Sequence, residues 1–156
     1  MKDEPFHIRP ATEDDLTTID AIEAESFSSP WPMDIFRQEM QLPFNHSLVA
    51  VEKGSGNNIL IGYIFFWTID NEMQLHRLAV KKTLRKQGIG GLLLEEMINI
   101  CRLKGVTEGS LEVRASNQDA IDLYQKAGFT IAGVRKCYYD DTREDALIML
   151  CKVKRI

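Results

Sequence analysis

The sequence has little of what several common protein classes require. Its three cysteines, Cys101, Cys137 and Cys151, stand far apart among 156 residues, with no Cys-x-x-Cys pair. An odd, widely spaced set argues against a disulfide framework or a zinc ribbon and fits reduced thiols in a cytoplasmic setting. The three histidines, His7, His46 and His76, share no ligand spacing, so no metal is expected. The longest apolar stretch, Ile59 to Trp67, falls far short of the roughly 20 residues that span a bilayer. Met1 to Pro5 is acidic and lacks an apolar core, so neither a signal peptide nor a membrane association is expected. A net charge of -4 argues against a fold-wide basic surface for nucleic acid. Positive charge gathers in one local patch, Lys81, Lys82, Arg85 and Lys86. There is no repeat, low-complexity tract or linker, and the whole chain, 1–156, is expected to form one mixed α/β domain.

What is present is a clear succession of periodicities. Phe6 to Arg9 alternates as a short strand ended by Pro10. Thr12 then caps a helix whose first turn carries Glu13, Asp14 and Asp15 and which runs to about Phe27. Ser28 to Pro32 breaks it, and Met33 to Met40 has helical spacing. Ser47–Glu52, Ile59–Ile69 and Met73–Val80 read as an antiparallel meander, with a turn at 54–58. Gly88 opens a long amphipathic helix with Ile89, Leu92, Leu93, Met97, Ile98 and Cys101 on one face and Gly105 as its cap. A strand at Ser110–Arg114, a helix at Asn117–Ala127, a strand at Phe129–Cys137 and a last strand at Ala146–Val153 follow.

The most informative segment is Arg85-Lys86-Gln87-Gly88-Ile89-Gly90-Gly91, at the start of the long helix. The first turn of a helix offers unpaired N–H groups and the positive end of the dipole, so an anion sits well there. Glycines at 88 and 90 remove the Cβ atoms that would block a phosphate, and Arg85 adds a donor. Each glycine weakens a helix by about 1 kcal/mol relative to alanine, which makes three in four positions an odd choice for a mere helix start. The P-loop is excluded because Leu92 follows Gly91 where Lys-Ser/Thr is needed. The Rossmann fingerprint is excluded because Leu93 stands at its third glycine. A cradle for the pyrophosphate of a nucleotide-containing cofactor remains.

Leu78-Ala79-Val80, then Arg-x-x-Gly-x-Gly from Arg85 to Gly90, Asn117-x-x-Ala120, and Leu123-Tyr124-x-x-x-Gly128-Phe129 resemble, in order and spacing, the GNAT N-acetyltransferase superfamily. The resemblance covers nearly all of the chain. It implies a mixed, mostly antiparallel sheet of about seven strands with a central parallel splayed pair, flanked by about four helices. It also implies acetyl-CoA as co-substrate, its pantetheine arm bonded to backbone groups of Leu78 to Val80 and its pyrophosphate held by residues 85 to 91. Asn117 then matches a cofactor-contacting asparagine, and Tyr124 matches the tyrosine that protonates the departing thiolate.

Taken alone, Glu112 is a solvated strand residue and Tyr124 an aromatic packing its ring. The chemistry gives them more to do. An α-amino group, with a pKa of roughly 8, must be neutral to attack a thioester, and Glu112 can accept its proton directly or through a water. A backbone N–H of Leu78 or Val80 can stabilise the oxyanion that forms. Asn117 and Tyr124, seven apart, would share a helix face. Three further segments, Phe27-Ser28-Ser29-Pro30-Trp31, Leu111 to Asn117 and Tyr138 to Ala146, resemble the RimI branch, bacterial enzymes that acetylate the N-terminal alanine of a small-subunit ribosomal protein. Trp31, Tyr138 and Tyr139 would then border the acceptor peptide. Trp31 equally reads as a packing anchor, and the tyrosines as ordinary strand residues. Cys137 replaces a common asparagine and the turn after Tyr139 is short by about two residues; both departures bear on the acceptor, not on the reaction. Transfer to a small amine is an alternative, and a silent acyl-CoA-binding sensor is another, although a sensor has no need of an acid and a base.

Overall fold

The residue run Ile59–Ile69 is apolar almost throughout rather than alternating, and such a strand must be covered on both faces. The structure, a computed structural model describing residues 5–54 and 58–155, bears this out. Among the described residues, seven strands form one sheet: β1 (Phe6–Pro10), β2 (Asn45–Glu52), β3 (Ile59–Ile69), β4 (Glu72–Val80), β5 (Glu108–Arg114), β6 (Thr130–Arg135) and β7 (Ala146–Lys152). Their order across the sheet is β1-β2-β3-β4-β5-β7-β6, and every pairing is antiparallel except that of β4 with β5. Four α-helices of the described residues flank it: α1 (Leu16–Ser26), α2 (Met33–Gln41), α3 (Ile89–Leu103) and α4 (Gln118–Lys126). The turn expected at 54–58 lies in part outside the described residues.

Two apolar layers sandwich the sheet. Leu16, Ile19 and Ile22 of α1 and Phe36 of α2 pack with Val49, Val51, Tyr63 and Phe65 on one face. Leu93, Leu94, Met97 and Cys101 of α3 and Ile121 and Tyr124 of α4 pack with Ala50, Ile64, Phe66, Leu111 and Met149 on the other. Alternate residues of β2 and β3 thus serve opposite cores.

The helix starts follow the local chemistry. Thr12 caps a single 3-10 turn, Glu13–Asp15, that leads into α1, and Asp15 closes a capping box. The Asp15 carboxylate accepts from Thr12 N–H at 2.7 Å and from both terminal nitrogens of Arg9 at 2.8 Å. The Arg9 guanidinium holds the Asp15 carboxyl below its ordinary range. A carboxyl whose folded pKa is depressed adds stability above its unfolded pKa of about 3.9 and loses it as the pH falls further. Asp15→Asn is therefore expected to cost about 1–2 kcal/mol at neutral pH in chemical denaturation, with the difference from wild type shrinking below about pH 4.

Some boundaries depart from expectation. Lys104, not Gly105, is the C-cap of α3, and Gly105 follows it in the left-handed region at φ 77°. The strand expected over Phe129–Cys137 is shorter: Phe129 is buried in the core before it, and Cys137, at φ 50°, has left the extended conformation.

Candidate active site

The site is built where the sheet opens. Opposite β3, Arg77 faces Phe65 and Leu75 faces Phe66, which leaves His76 as an extra residue on β4. Such a bulge bends a strand and increases its twist. β4 accordingly pairs with β5 only over Glu72–Gln74 against Glu108–Ser110, after which the two parallel strands part. Lys81 N–H donates to Ile61 O at 2.7 Å, and Ala79 stands opposite Tyr63. Backbone groups alternate in direction along a strand, so those of Leu78 and Val80 face the opening. Ala79 faces β3 instead and contributes a buried side chain. Gly62 makes the close approach of β3 possible, because a Cβ there would lie 3.0 Å from Ala79 O.

The loop into α3 is wound by two left-handed residues, Lys86 at φ 63° and Gly88 at φ 86°. The first helical hydrogen bond runs from Leu92 N–H to Gly88 O, so the N–H groups of residues 89–91 have no helical acceptor. A Cβ at Gly88 or Gly91 would touch nothing within 4 Å, which leaves that surface open. Gly90 differs from expectation: a Cβ there would meet Leu123 Cδ2 at 3.0 Å, so its bareness serves α3–α4 packing. Arg85 also differs. Its guanidinium donates to Val80 O at 3.0 Å and to Ser26 Oγ at 2.9 Å, bracing the loop against α1 instead of standing over the helix end. Lys86 Nζ lies 4.0 Å from Asp119, Gln87 is exposed, and Ile89 is buried and anchors the helix start. Unpaired N–H groups, an open surface and an opening lined by strand backbone together fit an extended ligand with a diphosphate at one end and amide groups along its arm.

A cleft of about 540 Å³ adjoins the opening, lined by residues that include Trp31, His76, Arg77, Glu112, Tyr138 and Tyr139. Glu112, opposite Ile148 on β7, has its side chain 30% exposed and Oε1 at 3.1 Å from Arg135 Nε. The neighbouring Glu112 carboxylate raises the pKa of the Tyr138 phenol. Burial raises the pKa of Tyr139, against the opposing influence of Arg114. Tyr124, on the inner face of α4, sets its ring edge-on to Phe129 at 6.0 Å. Burial pushes its phenol well above its ordinary range, with Tyr139 adding and Arg77 opposing. A phenol so shifted keeps its proton at neutral pH, as a proton donor requires. Asn117 is not on the helix face with Tyr124. It is the N-cap of α4, with Oδ1 accepting from Ala120 N–H at 3.2 Å.

Trp31 is a packing anchor, its ring 5.3 Å from that of Phe36, and it is also among the residues that line the cleft. Behind it lies a group the sequence reading missed. Glu23, fully buried, accepts from Tyr63 Oη at 2.6 Å, Trp31 N–H at 2.7 Å and Arg77 Nη2 at 2.8 Å. The Arg77 guanidinium sits between the rings of Phe27, at 4.1 Å, and Trp31, at 4.8 Å. The available signal was spacing, since Ile19, Ile22 and Glu23 share the inner face of α1. His76 was missed as well; its ring lies 4.2 Å from that of Trp67, and burial lowers its pKa.

The cysteines have no evident part in the chemistry. Burial pushes the Cys101 thiol up to about 12 and the Cys151 thiol up to about 11, while Cys137 is exposed. Among the described residues, no group of three or more His, Cys, Asp or Glu is arranged to hold a metal ion, and no helix is long and apolar enough to cross a membrane.

A model of the acetyltransferase (GNAT) family matches residues 16–129. Over 137 residues the chain is 39% identical to a Bacillus subtilis protein provisionally named a ribosomal protein bS18-alanine N-acetyltransferase, covering 87% of this chain and 88% of that one. It is 33% identical over 152 residues to a Mycobacterium tuberculosis protein named N-alpha-acetyltransferase RimI, covering 94% and 92% respectively. The crystal structure of the ribosomal-protein-S18-alanine N-acetyltransferase from Escherichia coli is similar at a TM-score of 0.85 and 31% identity, covering 97% of this chain and 96% of that one.

Proposed function

The chain belongs to the GNAT acetyltransferase family, and from that premise we propose that it transfers acetyl from acetyl-CoA to the α-amine of a protein N-terminus, with the N-terminal alanine of a small-subunit ribosomal protein as its acceptor. It is an acetyl-CoA-dependent N-acetyltransferase. Acetyl-CoA supplies an activated thioester. The work of the chain is to hold it, admit an amine and manage two protons.

In this reading the N–H groups of 89–91, the backbone of Leu78 and the Val80 N–H hold the cofactor, while Arg85, bonded to Val80 O and Ser26, braces the loop. Glu112 accepts the proton of the incoming ammonium, directly or through a water, exchanging its contact with Arg135 for the acceptor. Tyr124 gives its proton to the leaving sulfur. Trp31, Tyr138 and Tyr139 border the acceptor chain. Asn117 contributes by fixing the start of α4, and thereby the helix that carries Tyr124.

One observation carries the proposal: the Glu112 carboxylate lines a cleft beside the parted β4 and β5 strands, and the buried, neutral phenol of Tyr124 lies within electrostatic reach of Tyr139 and Arg77, which line the same cleft. The acceptor rests on the names of the relatives. Mass spectrometry of a peptide panel tests it. Alanine-initiated peptides copying the N-terminus of ribosomal protein S18 should gain one acetyl group at the α-amine, and copies with a blocked α-amine should gain none. Transfer to small amines alone would overturn the acceptor assignment.

Tyr124→Phe is expected to lower kcat about 100-fold while leaving the acetyl-CoA dissociation constant within about twofold, because ring packing is kept and only the proton is lost. Lost cofactor binding in calorimetric titration would make Tyr124 a structural residue.

A further inference from the structure

The Phe27-Ser28-Ser29-Pro30-Trp31 link holds two serines that no packing argument explains. Both hydroxyls donate to one distant carboxylate: Ser28 Oγ to Asp141 Oδ2 at 2.8 Å and Ser29 Oγ to the same oxygen at 3.1 Å. From β5, Arg114 grips Asp141 with both guanidinium arms at 2.9 Å, a fork-to-fork pairing of high directional specificity. The same guanidinium lies 4.0 Å over the ring of Tyr139 and 3.2 Å from Thr142 Oγ1. On the other side of the link, Ser29 O accepts from Arg77 Nη2 at 3.2 Å, and Arg77 is fixed by the buried Glu23. A continuous polar chain therefore runs from α1 through β4 and the α1–α2 link to the β6–β7 turn and β5. It passes along the rim of the cleft that holds Trp31, Arg77, Glu112 and Tyr139.

We propose that Asp141 is a positioning residue for acceptor selection: it latches the α1–α2 link to the β6–β7 turn, closes the cleft's rim into a ring and, through Arg114, fixes Tyr139 within it. This inference rests on the assignment of that cleft to the acceptor. The ring admits a slender chain terminus end-on and turns away amines carried on a broad or branched body. Pro30 and Pro32 on either side of Trp31 limit how far the link can move if the latch is cut. Arg114, and then Ser28, hold the Asp141 carboxyl far below its ordinary range, so the latch stays closed at any ordinary pH.

Two variants test it in the intact enzyme. Asp141→Ala removes every arm of the latch; Ser28→Ala combined with Ser29→Ala cuts only the crossing and leaves the Arg114–Asp141 pair in place. For Asp141→Ala, KM for the peptide terminus should rise about tenfold, with KM for acetyl-CoA within about twofold, and a lysine side-chain amine in a peptide with a blocked terminus should become a measurable acceptor. For the double serine variant the same changes are expected at about threefold. Amide hydrogen exchange, which needs no acceptor, should quicken together at 27–31 and at 139–143 in the serine variant, although no residue of the second segment has been changed. A folded serine variant with wild-type exchange at 139–143 overturns the latch, whatever the acceptor proves to be. A wild-type enzyme that acetylates no peptide terminus, but whose serine variant loosens 139–143, overturns the acceptor assignment and leaves the latch standing as the rim of a small-amine site.

Discussion

Glu112→Gln should lower kcat/KM for the acceptor peptide by about 100- to 1,000-fold near neutral pH, with acetyl-CoA affinity unchanged. Glutamine keeps the size of the side chain, so the cleft should hold its shape. It cannot take a proton. It also leaves Arg135, now 3.1 Å from the carboxylate, without its counter-ion and nearer in sign to the arriving ammonium. The loss should depend on pH in one direction. An α-amine with a pKa of roughly 8 deprotonates unaided as the pH rises, so the gap between variant and wild type should narrow above that value. A profile of kcat/KM from pH 6 to 9.5 reads this directly. Equal rates at pH 7, or a deficit that stays constant to pH 9.5, would remove Glu112 as the base.

Glu23→Ala is expected to carry the largest stability effect in the chain. The substitution leaves the Arg77 guanidinium, whose side chain is only 18% exposed, without its carboxylate. It also strips the Tyr63 hydroxyl and the Trp31 N–H of their acceptor. Removing one partner of a buried pair costs about 3–5 kcal/mol, because the remaining charge stays desolvated. That corresponds to a fall in Tm on the order of 10 °C for a domain of this size. Differential scanning calorimetry checks it, and a fall under about 2 °C would mean that the network is replaceable by water. The same group links stability to function. Glu23 lies outside the cleft, yet it holds Arg77 and Trp31, which line it, so acceptor KM should rise in any variant mild enough to fold.

These residues also mark how far a single sequence can be read. Strands and helices were legible where local chemistry fixes them: Thr12 with Asp15 at one helix start, Gly88 at another, and the unbroken apolar run of β3 with a core on both sides. β6 was overextended because it is the sheet edge, exposed along most of its length, where pattern carries little information. Glu112 and Tyr124 could be named because their motif spacing is distinctive; Glu112 lines the cleft, and Tyr124 is buried on α4 under the influence of Tyr139 and Arg77, which line it. The roles of Arg85 and Gly90 came out differently because each depends on a partner far along the chain: Ser26 for one, Leu123 for the other. Asn117 was misplaced by one residue of helix boundary, which turned a presumed helix-face side chain into a cap. Spacing could place Glu23 on the inner face of α1, but its pairing with Arg77, and that of Ser28 and Ser29 with Asp141, was not legible. Their partners lie 54, 113 and 112 residues apart, and nothing local hints at a contact.

The central claim is that the opening between β4 and β5 and the start of α3 bind acetyl-CoA. Thermal unfolding with and without it, on wild type and Gly91→Glu, tests this most directly. A ligand at about 100 times its Kd stabilises the fold by about 2.7 kcal/mol, or about 5–10 °C here. Gly91 lies in the first turn of α3 with open space around its Cα, so glutamate there suits both the helix and its dipole while setting a negative charge where the diphosphate belongs. Wild type should shift by that amount; Gly91→Glu should match or exceed wild type in Tm without ligand and fail to shift with it. A wild-type Tm unmoved by saturating acetyl-CoA, or a variant that shifts as wild type does, would contradict the account.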